Sequence, residues 1–180
     1  GTLTTNELEY DVANGIGIVL SSAGNSNITY NICSHNPFRG MDIDNSVGNE
    51  LTYNVFSDNG GYGLTLSLGS TLNKIWGNSF YRNNGAGDTY NPSHIQAQDL
   101  AGNNQWNSST GYGNYWNDWT TPDGPPPDGI VDQPYNIAGG KGAKDYYPLT
   151  TSPAVIPEFG MMPMVVVVLL AMFVLVGEAG

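Results

Sequence analysis

NELTYNVFSDNGGYGLTL, residues 49–66, decides the fold. A hydrophobe at Leu51 is followed by Asn54, Phe56 and Asn59. A glycine, Gly63, then opens a short alternating run with Leu64 and Leu66. The rhythm recurs. Leu3, Ile28, Leu51 and Ile75 stand 25, 23 and 24 residues apart. Three positions after each come Asn6, Asn31, Asn54 and Asn78, and five after each come Leu8, Cys33, Phe56 and Phe80. Eight after each come Asp11, Asn36, Asn59 and Asn83. The opening glycine is Gly15 before Ile16 and Ile18, Gly40 before Met41 and Ile43, and Gly63 before Leu64 and Leu66.

Alternation of apolar and polar residues over short runs is strand periodicity. Asn and Gly between the runs suit left-handed backbone and tight turns. One such turn cannot bury its apolar face alone, so turns stack, with equivalent residues roughly 4.8 Å apart. The expectation is an all-β parallel β-helix of 23–25 residues per coil. Its inward columns are Leu3/Ile28/Leu51/Ile75, Leu8/Cys33/Phe56/Phe80, Ile16/Met41/Leu64 and Ile18/Ile43/Leu66, with Asn6/Asn31/Asn54/Asn78 as an internal amide ladder. Leucine-rich repeats have a similar period, but they need a Leu-x-x-Leu-x-Leu core. The core here mixes Ile, Met, Phe, Val and Cys.

The chain has 180 residues, and 12% of them are charged, against roughly 25% in an average domain. Sixteen acids against five cations leave a net charge of -11. That excludes nucleic acid as a partner, because phosphate binding needs basic clusters. The single cysteine, Cys33, excludes an internal disulfide. The chain opens inside a repeat, so we read it as the C-terminal part of a longer protein, with any export signal upstream.

Residues 1–112 read as repeats. The last coil, 87–112, is degenerate, with a strand at His94, Ile95, Gln96 and Ala97. Residues 113–149, rich in aromatics, Pro, Gly and Asp, read as an irregular cap over the open end. Residues 150–160 form a spacer containing Pro157, Glu158 and Phe159. Residues 161–176 are apolar except for Pro163, and with Phe159 and Gly160 they approach the roughly 20 residues of a membrane-spanning helix.

The Asn-x-Phe repeat, followed by GNYW (113–116), DGIVDQPY (128–135) and DYYPL (145–149), resembles the NosD-type right-handed β-helix proteins, numerous in archaea. Pro157, Glu158 and Phe159 before an apolar segment resemble the PEF-CTERM sorting signal of archaeal surface proteins. The resemblance implies an extracellular, cell-surface right-handed β-helix. It would be attached to the membrane through a C-terminal segment, retained or processed by an archaeosortase. Named members of the wider family serve copper delivery to nitrous oxide reductase, and the architecture is shared with polysaccharide lyases, epimerases and hydrolases.

Several residue sets carry candidate chemistry. Stacking places Tyr10, His35, Asp58 and Arg82 in one outward row. Arginine there suits a sugar carboxylate, and His35 or Asp58 suits proton transfer. The bland alternative is an exposed ion ladder, worth little. Asp42 and Asp44 fall on the outward side of one strand, roughly 6.5–7 Å apart by strand rise, as paired carboxylates for hydrolysis or a cation. Asp123, Asp128 and Asp132 form an acidic loop, a candidate calcium site, but Asp-Gly turns give the same pattern. Copper needs His, Met or Cys, and only His35, His94 and Cys33 stand outside the tail and the core methionine Met41. Asn27 and Asn107 open glycosylation acceptor triplets. Trp106, Tyr112, Tyr115, Trp116 and Trp119 form either a sugar-stacking platform, with Trp116 and Trp119 foremost, or the packing of the cap.

The sequence is read as a secreted, non-catalytic structural, adhesive or carbohydrate-binding element, partnered by an envelope polysaccharide or glycoprotein and requiring no cofactor. The alternatives are a polysaccharide-active enzyme and a copper-linked accessory protein.

Overall fold

A computed structural model of the chain describes residues 1–4, the backbone of 7–9, and residues 15–153. Asn6, Tyr10 and Asp11 lie outside the described residues. So do Pro157, Glu158, Phe159 and the apolar segment 161–176.

Each of the first four coils contributes three short strands. The first holds β1 (Thr2–Thr4), β2 (Glu7–Glu9) and β3 (Ile16–Ser21). The second holds β4 (Asn27–Thr29), β5 (Ile32–Ser34) and β6 (Arg39–Asp44), and the third β7 (Glu50–Thr52), β8 (Val55–Ser57) and β9 (Leu64–Leu66). The fourth holds β10 (Lys74–Trp76), β11 (Ser79–Tyr81) and β12 (Ala97–Asp99). Equivalent strands pair in parallel into three sheets: β1-β4-β7-β10, β2-β5-β8-β11 and β3-β6-β9-β12. The fold is a parallel β-helix.

The stacking continues past residue 112. β13 (Tyr115–Trp116) joins the second sheet, with Phe80 opposite Trp116. Gln105 bridges to Lys74 in the first sheet and Ala138 to Gln98 in the third. A fifth coil is therefore present, expanded by loops. A two-stranded ribbon of β14 (Tyr135–Asn136) and β15 (Lys144–Asp145) closes over it.

Two inward columns stand as the repeat predicts. Ile28, Leu51 and Ile75 are in register and fully buried. Cys33, Phe56 and Phe80 are likewise in register and buried. The Phe56 and Phe80 rings stack at 5.0 Å, and the stack runs on through Trp116 (4.2 Å) to Tyr135 (4.0 Å).

The third sheet departs from the expected register. Ile18 pairs with Met41 and Met41 with Leu64, Leu20 pairs with Ile43 and Ile43 with Leu66, while Ile16 lies beside Arg39. Gly17, not Gly15, occupies the level of Gly40 and Gly63. The run GIGI (15–18) offers two equivalent starts, and only Gly17 gives the same 23-residue step as Gly40 to Gly63. These glycines are stacked so closely that a Cβ on Gly40 would stand 2.5 Å from the Gly63 carbonyl oxygen. The strand expected at His94, Ile95, Gln96 and Ala97 is displaced to Ala97–Asp99.

Three buried amide ladders hold the corners. In the first, Asn31 donates from N and Nδ2 to Asn54 Oδ1, Asn54 to Asn78 Oδ1, and Asn78 to Asn114 Oδ1, at 2.9–3.1 Å. In the second, Asn36, Asn59, Asn83 and Gln96 repeat the pattern. In the third, Asn49 donates to Asn73, and Asn73 to Asn104. Within each ladder the backbone N–H and one Nδ2 proton point toward the C-terminal end, while Nδ2 also donates back to a carbonyl of the preceding coil, as Asn54 does to Ile28 and Asn59 to Cys33. Each ladder therefore ends on donors that need an acceptor. A buried carboxylate meets each one. Asn114 donates to Asp145, Gln96 to Asp118, and Asn104 to Asp99. Burial raises the Asp145 carboxyl to about 6, against the lowering effect of bonds from Trp116, Asn114 and Tyr147. Asp118 is raised for the same first reason.

Candidate carbohydrate-binding groove

The first sheet presents Leu51 and Ile75 inward, so their neighbours Glu50, Thr52, Lys74 and Trp76 project outward. At the corner that follows, Tyr30 and Tyr53 hold left-handed backbone, φ 56° and 55°. The equivalent residue one coil on is Gly77, φ 67°, and its missing side chain leaves the space into which the Tyr53 ring extends. A Cβ there would stand 3.1 Å from Tyr53 Cε1.

The consequence is an aromatic ladder on the outside of the coils. Tyr30 and Tyr53 stack at 5.4 Å with planes 9° apart. Trp76 stands nearly perpendicular to Tyr53 on one side (77°, 5.4 Å) and to Tyr112 on the other (79°, 6.3 Å). Partial burial, followed by the neighbouring Tyr112 and Tyr30, raises the Tyr53 phenol and keeps it protonated.

Tyr53, Trp76 and Tyr112 line an open cleft of ≈ 430 Å³, with Glu50 and Lys74 on the sheet side and Ser108, Ser109 and Thr110 on the other. Ser108 organises that rim. Its Oγ accepts from the backbone of Thr110 (3.3 Å) and Tyr112 (3.0 Å), and its own N–H donates to the Tyr112 carbonyl (2.8 Å). Trp76 Nε1 donates to Glu50 Oε1 at 2.9 Å, which fixes the indole and occupies that carboxylate oxygen. Aromatic faces beside fixed hydroxyls, an ammonium and a carboxylate match the amphipathic surface of a sugar ring.

A second cleft of ≈ 650 Å³ lies across the 105–112 segment, between Asn103, Asn107 and the closing ribbon's Lys141, Lys144, Tyr146 and Tyr147. Tyr147 packs on Gly111, whose Cβ would stand 3.4 Å from the ring.

The other candidate residues are placed as follows. His35, Asp58 and Arg82 are brought together, each in left-handed backbone at the end of its strand. Arg82 donates Nε (2.7 Å) and Nη2 (3.1 Å) to the two Asp58 oxygens, and His35 Nε2 lies 4.0 Å from Asp58. Asp58 also raises the Arg82 guanidinium. Asp42 and Asp44 share a side, but Asp42 is only 8% exposed, paired with Arg39 and accepting from Ser67 Oγ at 2.8 Å. Asp44 remains exposed.

Asp123 accepts from the Gly129 N–H (2.8 Å), Asp128 from Ile130 (2.9 Å) and Asp132 from Gly124 (2.8 Å). Each carboxylate therefore holds its own loop backbone. Trp116 is 1% exposed with Phe80 and Tyr135 on its two faces, and Trp106 is equally buried, so neither offers a ring face to a ligand. Trp119 stands edge-on to Tyr90 and Tyr135 and donates to the Gln133 carbonyl. Asn27 is exposed, while Asn107 is half-buried with Nδ2 on the Ser108 carbonyl.

The family model described as periplasmic copper-binding protein (NosD) matches residues 2–121 of the 180. The chain belongs to the NosD family. Comparison with curated proteins gives no match, and comparison with solved structures gives none.

Among the described residues of this NosD-family chain, Cys33, Met41 and His94 are held in ways that do not suit copper. Cys33 is fully buried, and burial pushes its thiol up to about 12. Met41 is buried between Ile18 and Leu64. His94 turns Nδ1 onto the Asn84 carbonyl at 2.8 Å. Among the described residues, no three of His, Cys, Asp and Glu gather as metal ligands. No helix among them is long and apolar enough to cross a membrane.

Proposed function

We propose that this NosD-family protein is an extracytoplasmic right-handed β-helix of the cell surface that binds an envelope glycan without transforming it. The groove of Tyr53, Trp76 and Tyr112 carries this reading. Its only carboxylate, Glu50, is tied to the indole, and glycoside hydrolysis ordinarily takes two carboxyl groups flanking the bond. The repeat supplies a rigid surface, and the aromatic side chains on it cost little entropy on binding.

Surface attachment through residues 157–176 belongs to the same proposal, as does glycan addition at the exposed Asn27. Calorimetric titration against envelope polysaccharides tests the reading. Trp76→Ala is expected to weaken binding about tenfold, which is about 1.4 kcal/mol, in a variant whose circular dichroism still shows the native fold. Absence of glycan binding, or release of a product that Asp58→Asn abolishes, overturns it.

Family membership favours a second reading, a copper-linked accessory protein. Copper titration followed by absorbance distinguishes it: a stoichiometric, saturable signal supports that reading over ours.

A further inference from the structure

The five cations of the chain are unevenly used. Arg39 pairs with Asp42, and Arg82 pairs with Asp58. Lys74, Lys141 and Lys144 form no ion pair among the described residues. All three of these lysines line the two clefts, Lys74 the first and Lys141 and Lys144 the second. Sixteen acids outnumber the cations in the chain, yet Glu50 alone lines the first cleft and none lines the second.

The two clefts also share a wall. The consecutive residues Asn107 and Ser108 line the second and the first, and Tyr147 of the second packs on Gly111, next to Tyr112 of the first. From Tyr30 to Tyr112 the ladder climbs three coil steps, roughly 15 Å, which is longer than one sugar ring. The exposed Tyr146 and Tyr147 line the second cleft.

We infer that the ligand is an extended acidic glycan, bearing carboxylate or sulfate groups, laid along the coil axis with its rings on the Tyr30–Tyr53–Trp76–Tyr112 ladder and its anions on Lys74, Lys141 and Lys144. This rests on the glycan-binding reading above. The chemistry is complementary at both levels. Stacking takes the apolar faces of the rings, and ammonium groups on flexible stems reach anions at variable positions. The strongly acidic remainder of the surface repels a polyanion elsewhere and confines it to this track.

The test is titration of the full chain with polygalacturonate, its carboxyl-reduced neutral form, and dextran sulfate beside dextran. Each is repeated with Lys141→Gln/Lys144→Gln and with Trp76→Ala. The expected result is binding of an anionic polymer at least tenfold tighter than its neutral counterpart. The double lysine variant, which keeps Lys74, should lose most of that preference while holding the neutral polymer within twofold of the native chain. Trp76→Ala should weaken both. Preference for polygalacturonate assigns the anion to carboxylate, and preference for dextran sulfate assigns it to sulfate. Equal binding of charged and neutral polymers, or a preference undiminished in the double variant, overturns the inference and leaves glycan binding standing. Binding of none of the four removes both.

Discussion

Replacing Asn54 with alanine tests the ladder on which the coils are stacked. The side chain is fully buried. Its Oδ1 accepts from both N and Nδ2 of Asn31, and its Nδ2 donates to the Ile28 carbonyl and to Asn78 Oδ1, all at 2.9 Å. Alanine leaves the buried Asn31 N–H without its acceptor and takes one donor from the Ile28 carbonyl, which stays in the sheet against β7. At about 1–3 kcal/mol for the stranded N–H and about 0.5–1.5 kcal/mol for the lost bond to Ile28, the loss is roughly 1.5–4.5 kcal/mol, a large part of a domain's usual 5–15. Asn27, exposed on the neighbouring strand, is the control, and its alanine variant should stay within about 0.5 kcal/mol. Urea denaturation followed by tryptophan fluorescence reads both, because Trp106 and Trp116 lie in the core. A loss below about 0.5 kcal/mol for Asn54→Ala, with unchanged denaturant slope, would refute the claim that these amides carry stability.

Gly113→Ala should loosen the cap, because its Cβ would stand 2.0 Å from Asp145 Oδ1 and 2.3 Å from the Tyr147 carbonyl oxygen. We expect about 1–3 kcal/mol of destabilisation, seen as a lower melting temperature and a shifted Trp116 emission. The Asp145 carboxyl lies near 6 in the fold against 3.8 when free. Its stabilising contribution is therefore fully present below about pH 4 and lost as the pH rises through about 6, up to about 3 kcal/mol in all. Melting temperatures between pH 7.5 and 4 should rise toward acid in the native chain, and less so in Asp145→Asn. Cys33, fully buried with a thiol near 12, should resist thiol reagents until the chain unfolds, as an aromatic disulfide probe added before and after denaturant would show.

The repeat was legible because stacking makes one requirement recur at one spacing. Ile28, Leu51 and Ile75 must each fill the same inward position, and Asn31, Asn54 and Asn78 must each satisfy the same corner. The register of the third sheet was harder to read, because a Gly-Ile-Gly-Ile run fits its neighbours in two ways and only cross-coil contact selects one. The fifth rung carried a readable signal. Trp116 follows Asn114 at the spacing by which Phe80 follows Asn78, but the 36-residue step between these asparagines hid it among cap residues. The third ladder, Asn49, Asn73 and Asn104, was hidden by a similar insertion. The groove escaped notice because Trp76 and Tyr53 occupy different columns. They meet only because Gly77 leaves room, a fact of packing and not of period.

A crystal structure of the protein with a bound hexagalacturonate tests the glycan-binding claim most directly. The account predicts sugar density along the outer face of the first sheet, with a ring over Trp76 between Tyr53 and Tyr112 and carboxylates toward Lys74 and Lys141. Density seated on the Asp58–Arg82 row or on the loop of Asp123, Asp128 and Asp132, with the Trp76 groove empty, would contradict it.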